Sequence, residues 1–250
     1  MNVAENDDVT RVIALVCAVV ACAGWMTAIP AEPGVHSGRP RSAHATVLPL
    51  SAAARAAGLV DVRSIVPDAI IDLRYATPHN FTGVRLYPRD ARCLVHRSMS
   101  AGLRVAANRL RREGVVLVFW DCYRPHAVQK RMYRIVPNPN WVARPGPYAY
   151  SHEAARSVDV TLARKRKGTP CPGFRRDHDH CRFVMGTSFD AFTPRAYAYA
   201  HGIGARSRAN RALLRTAMAA GGLTVYSGEW WHFDGPGSAI HRPILRVPVD

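Results

Sequence analysis

The order of apolar and polar positions divides the chain into a small number of elements. Val115-Val116-Leu117-Val118-Phe119-Trp120 is a continuous apolar run of the length of a buried strand. Ahead of it, Ser98 to Arg112 places Leu103, Ala106, Ala107 and Leu110 on one face, which predicts an amphipathic helix capped by Ser98 or Ser100 and ended by Gly114. A second helix is predicted over Arg206 to Ala220, with Ala209, Leu213, Ala217 and Met218 toward the core and Gly221-Gly222 as its stop. Weaker signals give an Ala-rich, helix-compatible stretch from Leu50 to Gly58 and a strand around Ala69 to Leu73. A short helix follows from His126 to Tyr133, and a core strand from Ser157 to Leu162. After that strand comes a loop of about thirty residues, then a last strand from Leu223 to Ser227. There is no internal repeat. The succession predicts an α+β fold, an antiparallel sheet with helices packed on one face.

The amino terminus carries a different signal. Val12 to Val20 is an apolar run preceded by Arg11, too short to span a bilayer and of the length of a signal-peptide core. Val19-Val20-Ala21-Cys22 resembles a lipobox, whose Cys becomes the lipidated first residue of a bacterial lipoprotein. Ordinary cleavage after Ala28 or Ala31 is the alternative. Glu5, Asp7 and Asp8 do not suit the basic start of such a segment, whereas a start at Val9 would leave Thr10-Arg11 in that place. Thr27 to Thr46, rich in Pro, Gly, Ser and Ala, reads as a tether. The expected division is therefore a signal peptide over 1–22, a flexible tether over 23–49 and a folded domain over 50–250.

Export changes the reading of the cysteines. With Cys17 and Cys22 set aside, Cys93, Cys122, Cys171 and Cys181 permit two disulfides in an oxidising compartment. A local Cys171–Cys181 clip would leave Cys93 with Cys122; four free thiols are the other possibility, and the Cys spacings fit no zinc pattern. The formal charge of +16 is almost wholly Arg, with Lys only at 130, 165 and 167. Such a charge suits nucleic acid, an anionic membrane or an acidic wall polymer. Export and the lack of any nucleic-acid-binding motif exclude the first. The cluster Arg164-Lys165-Arg166-Lys167 with Arg175-Arg176 reads as a solvated loop.

The candidate chemistry lies in Ser151-His152-Glu153-Ala154-Ala155-Arg156-Ser157-Val158-Asp159 and in Gly228-Glu229-Trp230-Trp231-His232. His152, Asp159 and His232 offer two imidazoles and a carboxylate, a set that holds one zinc ion per chain and leaves the fourth tetrahedral position open. Glu229, three residues before His232, is placed to act as a general base without ligating. Arg124, between the core strand and Pro125, is a rigidly held guanidinium able to meet an anion. His178-Asp179-His180 is a second polar cluster that reads as solvated loop.

With these pieces in order, the sequence resembles the VanX-type D-alanyl-D-alanine dipeptidases, within a wider group of zinc peptidases that includes D-Ala-D-Ala carboxypeptidases, lysostaphin-like enzymes and hedgehog domains. The resemblance covers about residues 60 to 235. It rests on Asp72-Leu73-Arg74-Tyr75-Ala76-Thr77, Asn80-Phe81-Thr82-Gly83, Tyr123-Arg124-Pro125, Ser151-His152, Val158-Asp159-Val160-Thr161-Leu162, Met185-Gly186, Phe189-Asp190, Asn210-Arg211-Ala212-Leu213-Leu214 and Glu229-Trp230-Trp231-His232. It implies zinc on His152, Asp159 and His232, Glu229 as catalytic base, and Arg124 facing the developing oxyanion. It also implies that Asp190 receives the amino end of a small dipeptide, with Ser151 beside the pocket and Tyr75, Asn80 and Phe81 in its wall. The metal is expected in a cleft at strand ends.

Three positions depart from the family's usual residues: Tyr150 stands where a Ser is common, Ala155 where a Gly is common and Ser157 where an Ala is common. A phenol at 150 could narrow the pocket, redirect specificity or fold outward. The expected activity is hydrolysis of D-alanyl-D-alanine or a similar D,D-dipeptide in wall metabolism. The alternatives are a D,D- or L,D-carboxypeptidase acting on longer wall peptides, and an inactive wall-binding lipoprotein. The expected location is the outer face of the cell membrane through the lipid anchor, or else a secreted or periplasmic protein.

Overall fold

The computed structural model describes residues 47–165, 175–177 and 180–249, all within one unit, Ala43–Asp250. The expected signal peptide, lipobox and most of the tether fall outside the described residues, as do Cys171 and the first two residues of His178-Asp179-His180.

The sheet grows from two apolar runs. β1 (Leu59–Asp61), β2 (Ile70–Ile71) and β3 (Leu94–His96) precede β4 (Val116–Asp121), the predicted buried strand, whose residues from Leu117 onward are all buried. β5 (Ser157–Lys165) is buried over its first seven residues. Its antiparallel pairing to β4 places Leu117 opposite Leu162 and Asp121 opposite Asp159, with an irregularity between Phe119 and Asp121. β4 is flanked on its other side by β2, and that pair is parallel. β6 (Arg175–Asp177), β7 (His180–Arg182), β8 (Thr224–Val225) and β9 (His232–Asp234) complete the sheet, all joined by antiparallel pairs. β1 and β3 form a separate antiparallel pair. The α+β expectation with a mainly antiparallel sheet holds.

The helices follow their apolar stripes. α1 (Ala52–Ala56) starts at Ser51, whose hydroxyl accepts from the Ala54 amide, and α2 (Val62–Ile65) is a single turn. α3 (Ser100–Arg111) buries Leu103, Ala106, Ala107 and Leu110 as predicted, and α4 (His126–Ile135) follows β4. α5 (Ala205–Ala220) runs against α3 so closely that a Cβ on Gly102 would come within 2.3 Å of the Gly221 carbonyl oxygen. Only glycine allows that approach.

Three expectations need correction. The thirty-residue loop after Leu162 is not structureless: β5 continues to Lys165, so Arg164 and Lys165 lie on a strand, and β6 pairs with β7. The last predicted strand is shorter, Thr224–Val225, and His232 lies on a further three-residue strand, β9, paired to it. In α5 the buried line is Ser207, Arg211, Leu214, Ala217 and Met218, so Ala217 and Met218 face the core as predicted while Ala209 is exposed and Leu213 half-buried. Helical periodicity was right, but an arginine took a core position in place of an alanine. Among the described residues, no helix is long and apolar enough to cross a membrane.

Candidate metal centre

Strand pairing brings the sequence-distant groups together. Asp159 and His232 are directly opposed across the β5–β9 ladder, and Ser157 is opposed to Asp234 two residues on. His152 comes from a 3-10 turn, Ser151–Ala154, bounded by positive φ at Ser151 (49°) and Ala155 (57°). That left-handed exit is where the family's usual Gly would be unstrained, and Ala155 occupies it fully buried.

The three proposed ligand atoms form a nearly equilateral triangle. His152 Nε2 is 3.1 Å from His232 Nδ1 and 3.3 Å from Asp159 Oδ1, and His232 Nδ1 is 3.1 Å from the same oxygen. Ligands at about 2.0–2.1 Å from a tetrahedral ion stand roughly 3.3 Å apart, so the spacing fits zinc. Second partners fix which nitrogen is left for the metal. His152 Nδ1 donates to the Cys122 carbonyl at 2.8 Å, and His232 Nε2 lies 3.2 Å from Asp234 Oδ1. Behind Asp234, the Ser151 hydroxyl donates to Ser157 Oγ, and the Ser157 hydroxyl donates to Asp234 Oδ1.

Two nitrogen lone pairs and an anionic oxygen converging on one point need a cation. Without a metal a proton takes that place. His232 is pushed up to about 10: its burial opposes the charge, but hydrogen bonds to Asp159 and Asp234 outweigh it. Asp159 is held well below the ordinary carboxylate range, its burial being overcome by His152 and His232. The donor set therefore fits a zinc ion on chemistry as well as spacing.

Around the triangle stand the other expected groups. Glu229 Oε2 is 3.9 Å from His232 Nδ1, outside the ligand triangle, and burial raises its pKa. Arg124 Nη2 reaches to 4.0 Å from Asp159 Oδ2. Its Nε and Nη2 both donate to Asp121 Oδ2, at 2.9 and 2.6 Å, and Nη1 donates to Gln129 Oε1 at 2.8 Å. Burial works against its charge, and Asp121 holds it protonated nonetheless. Tyr75 lies beneath Arg124, 5.3 Å from ring centre to guanidinium, and its hydroxyl donates to Asp190 Oδ2 at 3.0 Å. Asp190 is pushed well above the carboxylate range by burial, then by the nearby charges of Asp159 and Glu229.

A cavity of about 850 Å³ opens over this constellation, lined by the expected Tyr75, Phe81, Ser151 and Asp190 and also by Tyr150 and Trp141. Tyr150 turns its ring toward His241, 5.5 Å between centroids. It lines the space without closing it. Asn80 does not form this wall. Its amide donates to the Thr77 and Val84 carbonyls, at 2.7 and 2.9 Å, so it shapes the turn carrying Phe81.

Asp121 and Asp234 were not singled out from sequence. Asp121, fully buried, fixes Arg124 and accepts from the Tyr87 hydroxyl at 2.6 Å. An acid ending an apolar run three residues before Arg124 was the available signal.

Comparison with known proteins gives a consistent result. A family model described as Peptidase_M15, D-ala-D-ala dipeptidase, matches residues 55–250. A D-alanyl-D-alanine dipeptidase of Escherichia coli (strain K12) is 33% identical over 187 residues, covering 75% of this chain and 89% of that protein. Proteins of the same description from Enterococcus faecium and Streptomyces coelicolor (strain ATCC BAA-471 / A3(2) / M145) are 28% and 29% identical, covering 70% and 65% of this chain and 90% and 83% of theirs.

Proposed function

The chain belongs to the Peptidase_M15 family of D-Ala-D-Ala dipeptidases, and from that membership we propose how its residues divide the work of hydrolysing D-alanyl-D-alanine. It is a metallopeptidase, and the family's dipeptidases are zinc enzymes. The observation that carries the reading is the triangle of His152 Nε2, His232 Nδ1 and Asp159 Oδ1 with Glu229 beside it and outside it.

Held by these three side chains, zinc supplies a Lewis acid and lowers the pKa of water to about 7. Glu229 takes the proton of the attacking water and returns it to the leaving amine; its raised pKa suits both transfers. Arg124, locked by Asp121 and Gln129, donates to the peptide oxygen as negative charge grows there, with no reorganisation needed at the moment of reaction. Asp190 receives the substrate ammonium, with the Tyr75 hydroxyl holding the carboxylate in place. An arriving cation restores the ionised form that burial disfavours, so a free amine is selected over a blocked one. Purified zinc-loaded protein should release D-alanine from D-Ala-D-Ala; no release under those conditions would refute this assignment.

A second reading concerns substrate length. A cavity near 850 Å³ is of the size that takes drug-sized ligands, well beyond what two alanines fill. Trp141, half-exposed, stacks on Phe192 at 4.7 Å along its lining. This favours activity on bulkier dipeptides or longer wall peptides as well, which a comparison of the free dipeptide with a muropeptide decides.

The location is proposed on separate grounds. The apolar run Val12 to Val20 before Cys22 supports export with lipid attachment, and the Cys93–Cys122 disulfide supports an oxidising compartment. Palmitate incorporation that disappears in Cys22→Ser is the expected result; unlabelled wild-type protein would exclude the anchor.

A further inference from the structure

Arg211 is a large charged side chain buried to 1% exposure, and the steps above leave it without a task. Its guanidinium spends its donors on neutral carbonyls: Nε on Met185 at 2.7 Å, Nη2 on Arg195 at 3.0 Å and Nη1 on Tyr197 at 2.9 Å. Those carbonyls lie at the two ends of one segment, and Asp190 lies between them. The same guanidinium covers the ring of Trp230 at 5.3 Å. Trp230 is tied to that segment twice more, its backbone amide donating to the Ala196 carbonyl at 3.0 Å and its indole to Thr187 Oγ1 at 2.8 Å.

Among the described residues no carboxylate pairs with it, and a guanidinium held by neutral carbonyls alone is an expensive core filler, since burial penalises its charge. Here burial pulls its pKa down to about 10, with Arg215 and Arg195 adding to the effect. A leucine would fill a helix face at less cost. What leucine lacks is a planar fork of donors with fixed angles, able to set three carbonyls in one plane. The neighbouring Asn210 holds the residue just ahead of that segment, donating to the Val184 carbonyl at 2.9 Å.

We propose that Arg211 is a positioning residue: it closes the Met185–Tyr197 segment into a rigid loop seated on Trp230, and so fixes Asp190 where the substrate ammonium must arrive. The inference rests on Asp190 holding that ammonium. Arg211 touches neither substrate nor metal; it acts through Asp190.

The test compares D-Ala-D-Ala with its N-acetylated form. Wild type is expected to prefer the free amine, and Asp190→Asn to lose that preference. Arg211→Lys keeps the charge and loses the fork. It is expected to fold and to retain zinc stoichiometry, while KM for D-Ala-D-Ala rises about tenfold or more and the preference for the free amine falls with it. A purely structural residue would lower the active fraction and leave both quantities unchanged. Folded, zinc-replete Arg211→Lys with wild-type KM and wild-type amine preference would overturn the proposal, as would a fall in kcat alone. If Arg211→Lys does not fold, Arg211→Gln is read by the same two quantities. A wild type that cleaves both forms equally overturns the Asp190 reading and this inference together. An Asp190-dependent preference untouched in the Arg211 variants overturns this inference only.

Discussion

His232 and Asp234 share one face of β9, with the imidazole Nε2 3.2 Å from the carboxylate Oδ1. Residues two apart on a strand point the same way, so the proposed metal ligand and the anion beside it are supplied by one short element. The Ser151–Ser157 hydroxyl chain then holds Asp234 from the opposing strand. Asp234→Ala should weaken zinc binding about 10- to 100-fold, measured by competition with a chromogenic chelator, with activity recovering at saturating zinc. Unchanged affinity would show that Asp234 does not orient the ligand.

Glu229 stands beside the ligand triangle and not in it. Glu229→Gln should therefore retain one zinc per chain while kcat falls by about 10²–10⁴. Metal analysis and D-alanine release on the same preparation check this. Lost zinc would make Glu229 a ligand.

Metal-free protein should respond to pH through His232. Its folded pKa of about 10 lies above the ordinary 6.5, so the stabilisation is fully present below pH 6.5 and is lost as pH rises through 10. The loss amounts to at most roughly 4–5 kcal/mol. Zinc replaces that proton, so the loaded protein should not share the decline. Melting curves between pH 6 and 10, with and without chelator, test it; parallel curves would refute it.

Ala155 sits at φ 57° with no solvent exposure, and its carbonyl accepts from the His96 amide at 2.7 Å. Ala155→Gly relieves the left-handed strain but deletes a buried methyl, and should lie within about 1 kcal/mol of wild type. Ala155→Val puts a β-branched side chain there and should cost more than about 3 kcal/mol, with loss of zinc. Denaturant titration of the two variants distinguishes them, and a tolerated Val would refute the strain argument.

The Cys93–Cys122 disulfide spans 29 residues and anchors the residue whose carbonyl orients His152. Replacing both cysteines by Ala should cost about 3–4 kcal/mol by loop entropy and weaken zinc binding. Equal unfolding midpoints would show that the bridge contributes nothing.

The sequence alone determined the local matters. An unbroken apolar run of strand length marked β4, and helical spacing of apolar residues marked α3, because such surfaces must be buried. Residue type and context pointed to His152, Asp159, His232, Glu229 and Arg124, because zinc peptidase chemistry draws on few side chains. Cysteine arithmetic offered Cys93 with Cys122 as one possibility beside free thiols, and the structure joins them; Cys181 is also disulfide-bonded. Tertiary structure decided what depends on register and burial. That Asp159 faces His232 and Ser157 faces Asp234 follows from how β5 meets β9, since a slip of one residue would turn each side chain to the other face. That Arg211 is buried and Ala209 exposed could not be read from periodicity, which finds a helix's inner face but not the carbonyls waiting there. Asn80 shows the same limit: its partners are the Thr77 and Val84 carbonyls of its own turn, and only the folded turn reveals that its amide is engaged there and not at the cavity.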